Sequence, residues 1–396
     1  MSTRIENLEQ FAIDVILERR RGVRATLLRG LLYALSFVYE RLVQFRLFLY
    51  RRRILRERTL GCLVVSIGNL TVGGTGKTPI VEKFARALRS GGRRVAILSR
   101  GYKSVPQPGA TTWFDRLRGK APDPPRIVSD GKSLLLDSLT AGDEPYMLAK
   151  NLKDVVVLVD KDRVKSGLFA IKELKVDTLV LDDGLQYLHL KHRLDIVLID
   201  RQAPFGNEYL LPRGTLREPP RNLRRASYIF ITKSTGEPNE ALIERIRRYN
   251  RTAEIIECAH KPLHLQNVFT GEQLPLEKLR ETYIGALSGI AAPESFEEGL
   301  RKLGAHIELA KRYTDHHRYT EAELQSFIKR CIRRDLEMIV TTEKDAVRFP
   351  QLSKVEVPIY FLRVEIEILS GHESWEHCVA RICQPQPMLS PERFFS

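Results

Sequence analysis

The run Gly73-Gly74-Thr75-Gly76-Lys77-Thr78 carries residue types suited to holding a polyphosphate. Glycines let successive backbone N–H groups converge on phosphate oxygens, and a helix opening at Lys77 adds the favourable end of its dipole. Lys77 would reach the β- and γ-phosphates of a nucleotide, and the Thr78 hydroxyl would ligate Mg²⁺. ATP and Mg²⁺ are therefore the expected cofactors, with Thr71 to Thr78 as the binding loop. One position departs from the usual G-x-x-x-x-G-K-[ST] spacing: Thr71 stands where the first glycine is expected, followed by Val72.

Such a loop needs acids at neighbouring strand ends to organise the metal. Val180-Leu181-Asp182-Asp183-Gly184 is an apolar strand ending in two aspartates, and either could serve the metal. Asp200 closes a similar strand, where a helix cap is the simpler role. Asp143, in Gly142-Asp143-Glu144-Pro145, stands before a helix; it reads either as an acidic first turn or as a general base for an attacking hydroxyl. In Leu216-Arg217-Glu218-Pro219, either Arg217 balances phosphate charge and Glu218 serves the metal, or the segment is a solvated loop. Asp315-His316-His317 precedes a helix opened by Thr320 and Glu323. It is either an acid/base relay, with the carboxylate tuning the histidine, or two exposed histidines ahead of a capping box. Thr341-Thr342-Glu343-Lys344-Asp345 is another polar cluster at a strand end, with no role assigned. His372, His377, Cys378 and Cys383 match no common zinc spacing.

The elements that must position these residues alternate. Apolar strand-like runs at Leu63 to Ile67, Val95 to Leu98, Val155 to Val159, Thr178 to Leu181, Ile196 to Ile199 and Tyr228 to Ile231 are separated by helical patterns such as Pro79 to Leu88 and Glu144 to Asn151. Strands apolar throughout predict a mostly parallel sheet covered on both faces, an α/β/α sandwich of the P-loop type. The Pro- and Gly-rich stretch Lys103 to Asp130 is an expected excursion over the site. The pattern breaks around Ala259 to Leu276, and a new alternating series follows, predicting a second, smaller α/β/α domain. The chain of 396 residues is long for one core. The expected division is an N-terminal helical segment over 1–58, a nucleotide-binding domain over 59–258 and a smaller domain over 259–396 that closes over the site.

Sixty-four basic against 49 acidic residues leave a net charge of +15, which predicts an anionic partner. Arginines flank an apolar stretch from Leu27 to Tyr50 on both sides, and Arg29, Glu40, Arg41 and Arg46 interrupt it. That excludes a clean spanning helix, and no small-residue cleavage site makes it a signal peptide. Leu28, Leu31, Leu32, Leu35, Tyr39, Leu42 and Phe45 recur at helical spacing, as in a helix lying on an anionic bilayer or in an amphipathic helix packed on its own domain; the arginine-rich flanks favour the bilayer. No helix-turn-helix, zinc finger or aromatic–basic RNA signature appears, so nucleic acid is not the expected partner. Of five cysteines Cys62, Cys258 and Cys331 are isolated, which argues against a disulfide framework and predicts a reducing compartment.

Val65 to Pro79 resembles the phosphate-loop signature of the tetraacyldisaccharide 4'-kinases of lipid A biosynthesis. Ser99-Arg100-Gly101-Tyr102, Gly142 to Pro145, Asp182-Asp183-Gly184-Leu185-Gln186, Leu216 to Pro219, Ala286 to Ile290 and Asp315 to His317 follow in that family's order. The resemblance runs from about Val23 to Leu362, with Leu185 standing where many members carry Phe. It implies transfer of the ATP γ-phosphoryl group to the 4'-hydroxyl of a tetraacylated glucosamine disaccharide 1-phosphate, giving a lipid A precursor. It further implies a Mg²⁺-dependent enzyme at the cytoplasmic face of the bacterial inner membrane, here expected as a monomer. By position Asp143 matches the family's catalytic base, and His316, beside Asp315, the histidine that assists it. Lys77 and Thr78 match the phosphate and metal residues, and Asp182, Asp183 and Glu218 match acids of the nucleotide–metal site. Arg163 is a further match near the site. The loop also resembles those of MinD-like membrane ATPases, which usually carry Lys where this chain has Val72.

Overall fold

The computed structural model describes residues 11–102, 104–105, 123–352 and 354–384. A long helix, α1 (Val23–Arg51), leads into β1 (Leu63–Asn69), α2 (Lys77–Ser90) and β2 (Val95–Ser99). Lys103 and residues 106–122 of the Pro/Gly-rich excursion lie outside the described residues; its end forms β3 (Arg126–Asp130). There follow α3 (Ser138–Ala141), α4 (Asp143–Asn151), β4 (Val156–Val159), α5 (Arg163–Lys172), β5 (Thr178–Asp182), β6 (Leu194–Asp200), β7 (Tyr228–Thr232) and α6 (Glu240–Tyr249). Strand β8 (Glu254–Asn267) and the short β9 (Gln273–Leu274) precede β10 (Tyr283–Ser288), α7 (Pro293–Lys302), β11 (His306–Arg312), α8 (Glu321–Ile332), β12 (Met338–Thr342), α9 (Glu343–Ala346), β13 (Ile359–Ser370) and α10 (His372–Cys383).

The strands order as β11-β10-β12-β13-β8-β7-β6-β1-β5-β2-β4-β3. From β4 across to β7 the pairing is parallel, and so is β11-β10-β12-β13. Every residue of β1, β2, β4, β5 and β7 is buried, as continuous apolar runs covered on both faces require. The strand ends carrying Asn69, Ser99, Val159 and Asp182 consequently share one edge, where α/β sheets bind ligands.

The apparent break near Ala259 is one long strand. β8 runs parallel to β7 over Glu254–Glu257, then pairs antiparallel with β13, whose own first residues pair parallel with β12. The β8–β13 ribbon thus carries one sheet from one half of the molecule to the other. Its alternating exposure and Pro262, next to a register shift, give it no continuous apolar run in the sequence. Position 258/259, where the domain boundary was expected, lies inside β8. Helix α10 also returns to the first half: Trp375 packs edge-on against Phe84 with centroids 4.7 Å apart, and Cys378 and Ile382 join the same core as β1. Cys378 is therefore a packing residue.

A buried polar clasp ties the halves beside the ribbon. Arg363 of β13 bonds Glu82 of α2 and, at 2.7 Å, Glu343 of α9. Asn151 at the end of α4 donates to both acids, 3.3 Å to Glu82 and 2.6 Å to Glu343. Burial pushes the Glu343 carboxyl above its ordinary range, against the opposing pull of Arg363. Arg363→Met should therefore leave the buried Glu343 without its cation, while Glu82 keeps Arg86 at 2.6 Å, and cost about 3 kcal/mol of stability. Denaturant unfolding of the purified variant measures this.

Candidate functional site

The phosphate loop is tied down from two sides. Asn69, at the end of β1, donates to the Thr75 hydroxyl at 3.0 Å and to the Thr71 hydroxyl at 3.3 Å. Threonine at the place of the expected glycine is thus part of the loop's bracing. The Val72 N–H donates to the Thr215 carbonyl at 2.7 Å, joining the loop to the segment that carries Arg217 and Glu218. Gly73 and Gly76 adopt φ of 112° and 77°, which glycine tolerates without cost. A Cβ on Gly76 would also stand 3.1 Å from His260 Nε2. Thr78 is buried in the first turn of α2, where Pro79 sacrifices no helical hydrogen bond. Lys77 Nζ donates to Asn69 Oδ1 at 3.2 Å and faces Asp183 at 3.3 Å.

The two aspartates differ sharply. Asp183 turns out of β5 through a left-handed φ of 55°, an uncommon geometry for a non-glycine residue that clusters at functional sites. Burial would raise its carboxyl, but Lys77 and Arg217, the latter at 2.7 Å, outweigh it and hold the group below its ordinary range. Asp182 is buried, and that burial, reinforced by Glu144 and Asp183, pushes its carboxyl up to about 7. One of its oxygens accepts from Ser99 at 3.1 Å; Oδ1 has no hydrogen-bond partner among the described residues.

Glu218 is buried with its oxygens taken. Arg225 bonds both at 2.8 Å, Asn222 donates at 2.7 Å and Gln186 at 3.1 Å. Gln186 also contacts Arg217, so a chain of polar contacts runs from Lys77 through Asp183 and Arg217 to Glu218. Asp200 is ion-paired with Lys233 at 2.5 Å. Arg163 is buried in the first turn of α5, over the Tyr187 ring, and its charge bears on Asp182.

Asp143 and His316, 173 residues apart, meet across the halves: His316 Nδ1 and Asp143 Oδ2 are 3.0 Å apart. Gly142, at φ 91° with the Tyr102 carbonyl 3.3 Å from where its Cβ would be, caps α4 and starts it at Asp143. The carboxylate therefore sits at a helix N-terminus. It also accepts from Arg318 at 2.8 Å and from Arg348 at 2.7 Å, both from the second half. Burial favours the neutral acid, but the His316 bond and the two guanidinium groups prevail and lower its pKa. The stabilisation this clamp lends is present at neutral pH and is lost as pH falls through that depressed value. His316 adopts φ 66°, its ring edge-on to Tyr102 at 5.6 Å. Asp315 is 3.8 Å from its Nε2, and Lys344 Nζ is 3.3 Å from the same atom.

Arg348 and Arg318 were not singled out from sequence. Arg318 lies within the Asp315 run, but nothing in the spacing marks Arg348. Its side chain is 0% exposed; it reaches Asp143 while bonding Asp345 at 3.2 Å and the Gly289 carbonyl at 3.0 Å. Asp345 in turn accepts from the Gly289 N–H and Tyr319. The Thr342 hydroxyl caps α9 through the Asp345 N–H. The polar cluster after β12 is therefore the mount for Arg348. The capping box expected at Thr320 and Glu323 opens α8.

Residues 28–384 match the family model described as tetraacyldisaccharide-1-P 4'-kinase. A tetraacyldisaccharide 4'-kinase of Syntrophus aciditrophicus is 39% identical over 359 residues, spanning 88% of this chain and 91% of that protein. One of Halothermothrix orenii is 31% identical over 380 residues, spanning 92% and 95%. A crystal structure of LpxK from Aquifex aeolicus in complex with ATP superposes with a TM-score of 0.70 at 30% identity, covering 90% of this chain and 99% of that one. With its family match, relatives and fold in agreement, the chain belongs to the tetraacyldisaccharide-1-P 4'-kinase family.

Proposed function

We propose that this chain transfers the γ-phosphoryl group of ATP to the 4'-hydroxyl of a tetraacylated glucosamine disaccharide 1-phosphate. The observation that carries the mechanism is the meeting of Asp143 and His316 across the halves, on the sheet edge that also presents Lys77. Lys77 and the loop N–H groups hold the triphosphate. For Mg²⁺, the donor set fits a hard cation: the Thr78 hydroxyl and the otherwise unpartnered Asp182 Oδ1 supply protein oxygens, and phosphates and waters complete such shells. When bound, that ion would neutralise negative charge on the β- and γ-phosphates. Asp183 keeps Lys77 and Arg217 aligned, and Glu218 anchors the Arg225–Asn222–Gln186 bracket behind them rather than offering a free oxygen.

Asp143, wrapped by three cationic or N–H donors, is better suited to orienting His316 than to taking a proton itself. With Nδ1–H donated to Asp143, His316 presents the Nε2 lone pair toward the cleft. His316 would accept the proton of the attacking hydroxyl, Asp143 would stabilise the resulting imidazolium, and Asp315 would lie beside it. The test is transfer of labelled phosphate from ATP to a tetraacyl disaccharide 1-phosphate in detergent micelles. Product formation that requires the lipid supports the reading; ATP hydrolysis indifferent to lipid overturns it.

The same reading puts the enzyme, as a single copy, on the anionic cytoplasmic surface of a bacterial inner membrane. Among the described residues no helix is long and apolar enough to cross a membrane. Yet α1 exposes Leu27, Leu31, Leu35, Val38, Leu42 and Phe45 along one face. Its opposite face is docked by polar contacts: Ser36 to the Leu210 carbonyl at 2.8 Å, Tyr39 to the Arg217 carbonyl at 3.1 Å, and Glu40 to Arg221 at 2.6 Å. The apolar face is left for lipid, and the helix is bolted to the segment that lines the nucleotide site. Leu31→Glu with Leu35→Glu should abolish flotation with anionic liposomes while ATP binding persists. Unchanged flotation would remove the helix from the reading.

A further inference from the structure

We propose that Lys344 is a further catalytic residue, a cation brought by the second half of the molecule to the phosphoryl group as it transfers. The inference rests on the assignment of Asp143 and His316 above. Lys344 Nζ stands 3.3 Å from His316 Nε2, 3.4 Å from Glu144 of the first half and 3.6 Å from Asp315. All three contacts are long for a charged hydrogen bond. Arg348, four residues on, makes contacts of 2.7, 3.0 and 3.2 Å with no exposed side-chain surface. One cation is locked into the fold. The other is held loosely at the mouth, with 23% of its side chain exposed and a flexible four-carbon stem.

Its position has two chemical consequences. Nε2 is the nitrogen left to accept a proton once Nδ1–H is given to Asp143, and the ammonium occupies that lone pair. A substrate hydroxyl can reach Nε2 only when Lys344 turns aside. The direction in which it can turn is set by charge. Glu144, 3.4 Å from Lys344, is one of the charges that act on Asp182, as Lys77 is. Turning from His316 toward Glu144, the ammonium would approach the end of a triphosphate held by Lys77. Phosphoryl transfer spreads negative charge over the equatorial oxygens of the moving group, and cations aimed there lower its barrier. One side-chain motion then uncovers the base and charges the transition state.

The step balances simply. The hydroxyl proton passes to His316 Nε2, and the oxygen forms a bond to the γ-phosphorus. The bond from that phosphorus to the β–γ bridging oxygen breaks, and its electron pair leaves on ADP. Lys344 gains and loses no proton; it contributes only charge.

The experiment measures kcat and the KM for ATP in Lys344→Met and Lys344→Arg, with thermal unfolding of each and with Lys77→Ala and His316→Ala alongside. The expected result is a fall in kcat of about 10²-fold in Lys344→Met, with KM for ATP and the unfolding midpoint unchanged and partial recovery in Lys344→Arg. Lys344→Met turning over at the parent rate, or losing activity only in step with its unfolding midpoint, overturns the proposal. If Lys77→Ala and His316→Ala also keep full turnover, the underlying assignment has failed with it; if they are inactive while Lys344→Met is not, only the role of Lys344 falls.

Discussion

Lys77→Ala loses about 10³-fold or more in kcat, because the γ-phosphate keeps its N–H cradle but loses the charge that positions and neutralises it. The structure makes this a clean test. Lys77 is bonded to Asn69 and faces Asp183, and Asp183 retains Arg217 at 2.7 Å when the lysine is gone. No buried carboxylate is stranded, so the variant should fold and unfold like the parent. Its circular dichroism and unfolding midpoint are measured beside steady-state transfer to the lipid acceptor. Turnover within roughly tenfold of the parent would sink the phosphate-loop assignment.

The second large effect is expected at the contact between the halves. His316→Ala should lower kcat by about 10²–10⁴-fold, the usual contribution of a positioned acid or base, with the KM for ATP little changed. Asp143→Asn should do comparable damage for a different reason. It leaves a neutral amide facing His316, Arg318 and Arg348, so the imidazole loses both its orientation and the charge that stabilises its protonated form. The two groups act as one unit, and the double variant should be scarcely worse than either single one. Additive losses would mean that the two act separately. An Asp143→Asn variant impaired only in ATP affinity would move Asp143 to nucleotide binding. Asp143→Asn should also destabilise the join of the halves, whereas His316→Ala leaves both arginine contacts in place. Comparing their unfolding midpoints separates the structural share of the Asp143 effect from the chemical one.

Much of this was legible in the sequence because it is local. A phosphate loop is a contiguous turn whose glycines, lysine and threonine act through the backbone they occupy, so Gly73 to Thr78 announce themselves. Apolar runs such as Thr178 to Leu181 name buried parallel strands, because strands covered on both faces tolerate little else. Asp182, Asp183 and Asp143 were reachable as residues at element ends, and Thr320 with Glu323 as a cap.

What sequence could not determine depends on contacts between distant segments. That Asp143 touches His316, and that two arginines clamp the same carboxylate, follows from a ribbon of β8 and β13 that carries one sheet between the halves. Pairing energy across such a ribbon comes from neighbours that linear spacing does not encode. The same holds for the opposite fates of Asp182 and Asp183, adjacent in sequence. A left-handed φ at Asp183 aims one carboxylate at Lys77 and Arg217, while its neighbour stays buried in the strand. Glu218 reads from sequence as a metal acid, and packing surrounds it with Arg225, Asn222 and Gln186. Composition and local pattern determined which chemistry this chain carries. Tertiary structure decided which charges face one another, because burial and the direction of each side chain set the strength of every charge in the site.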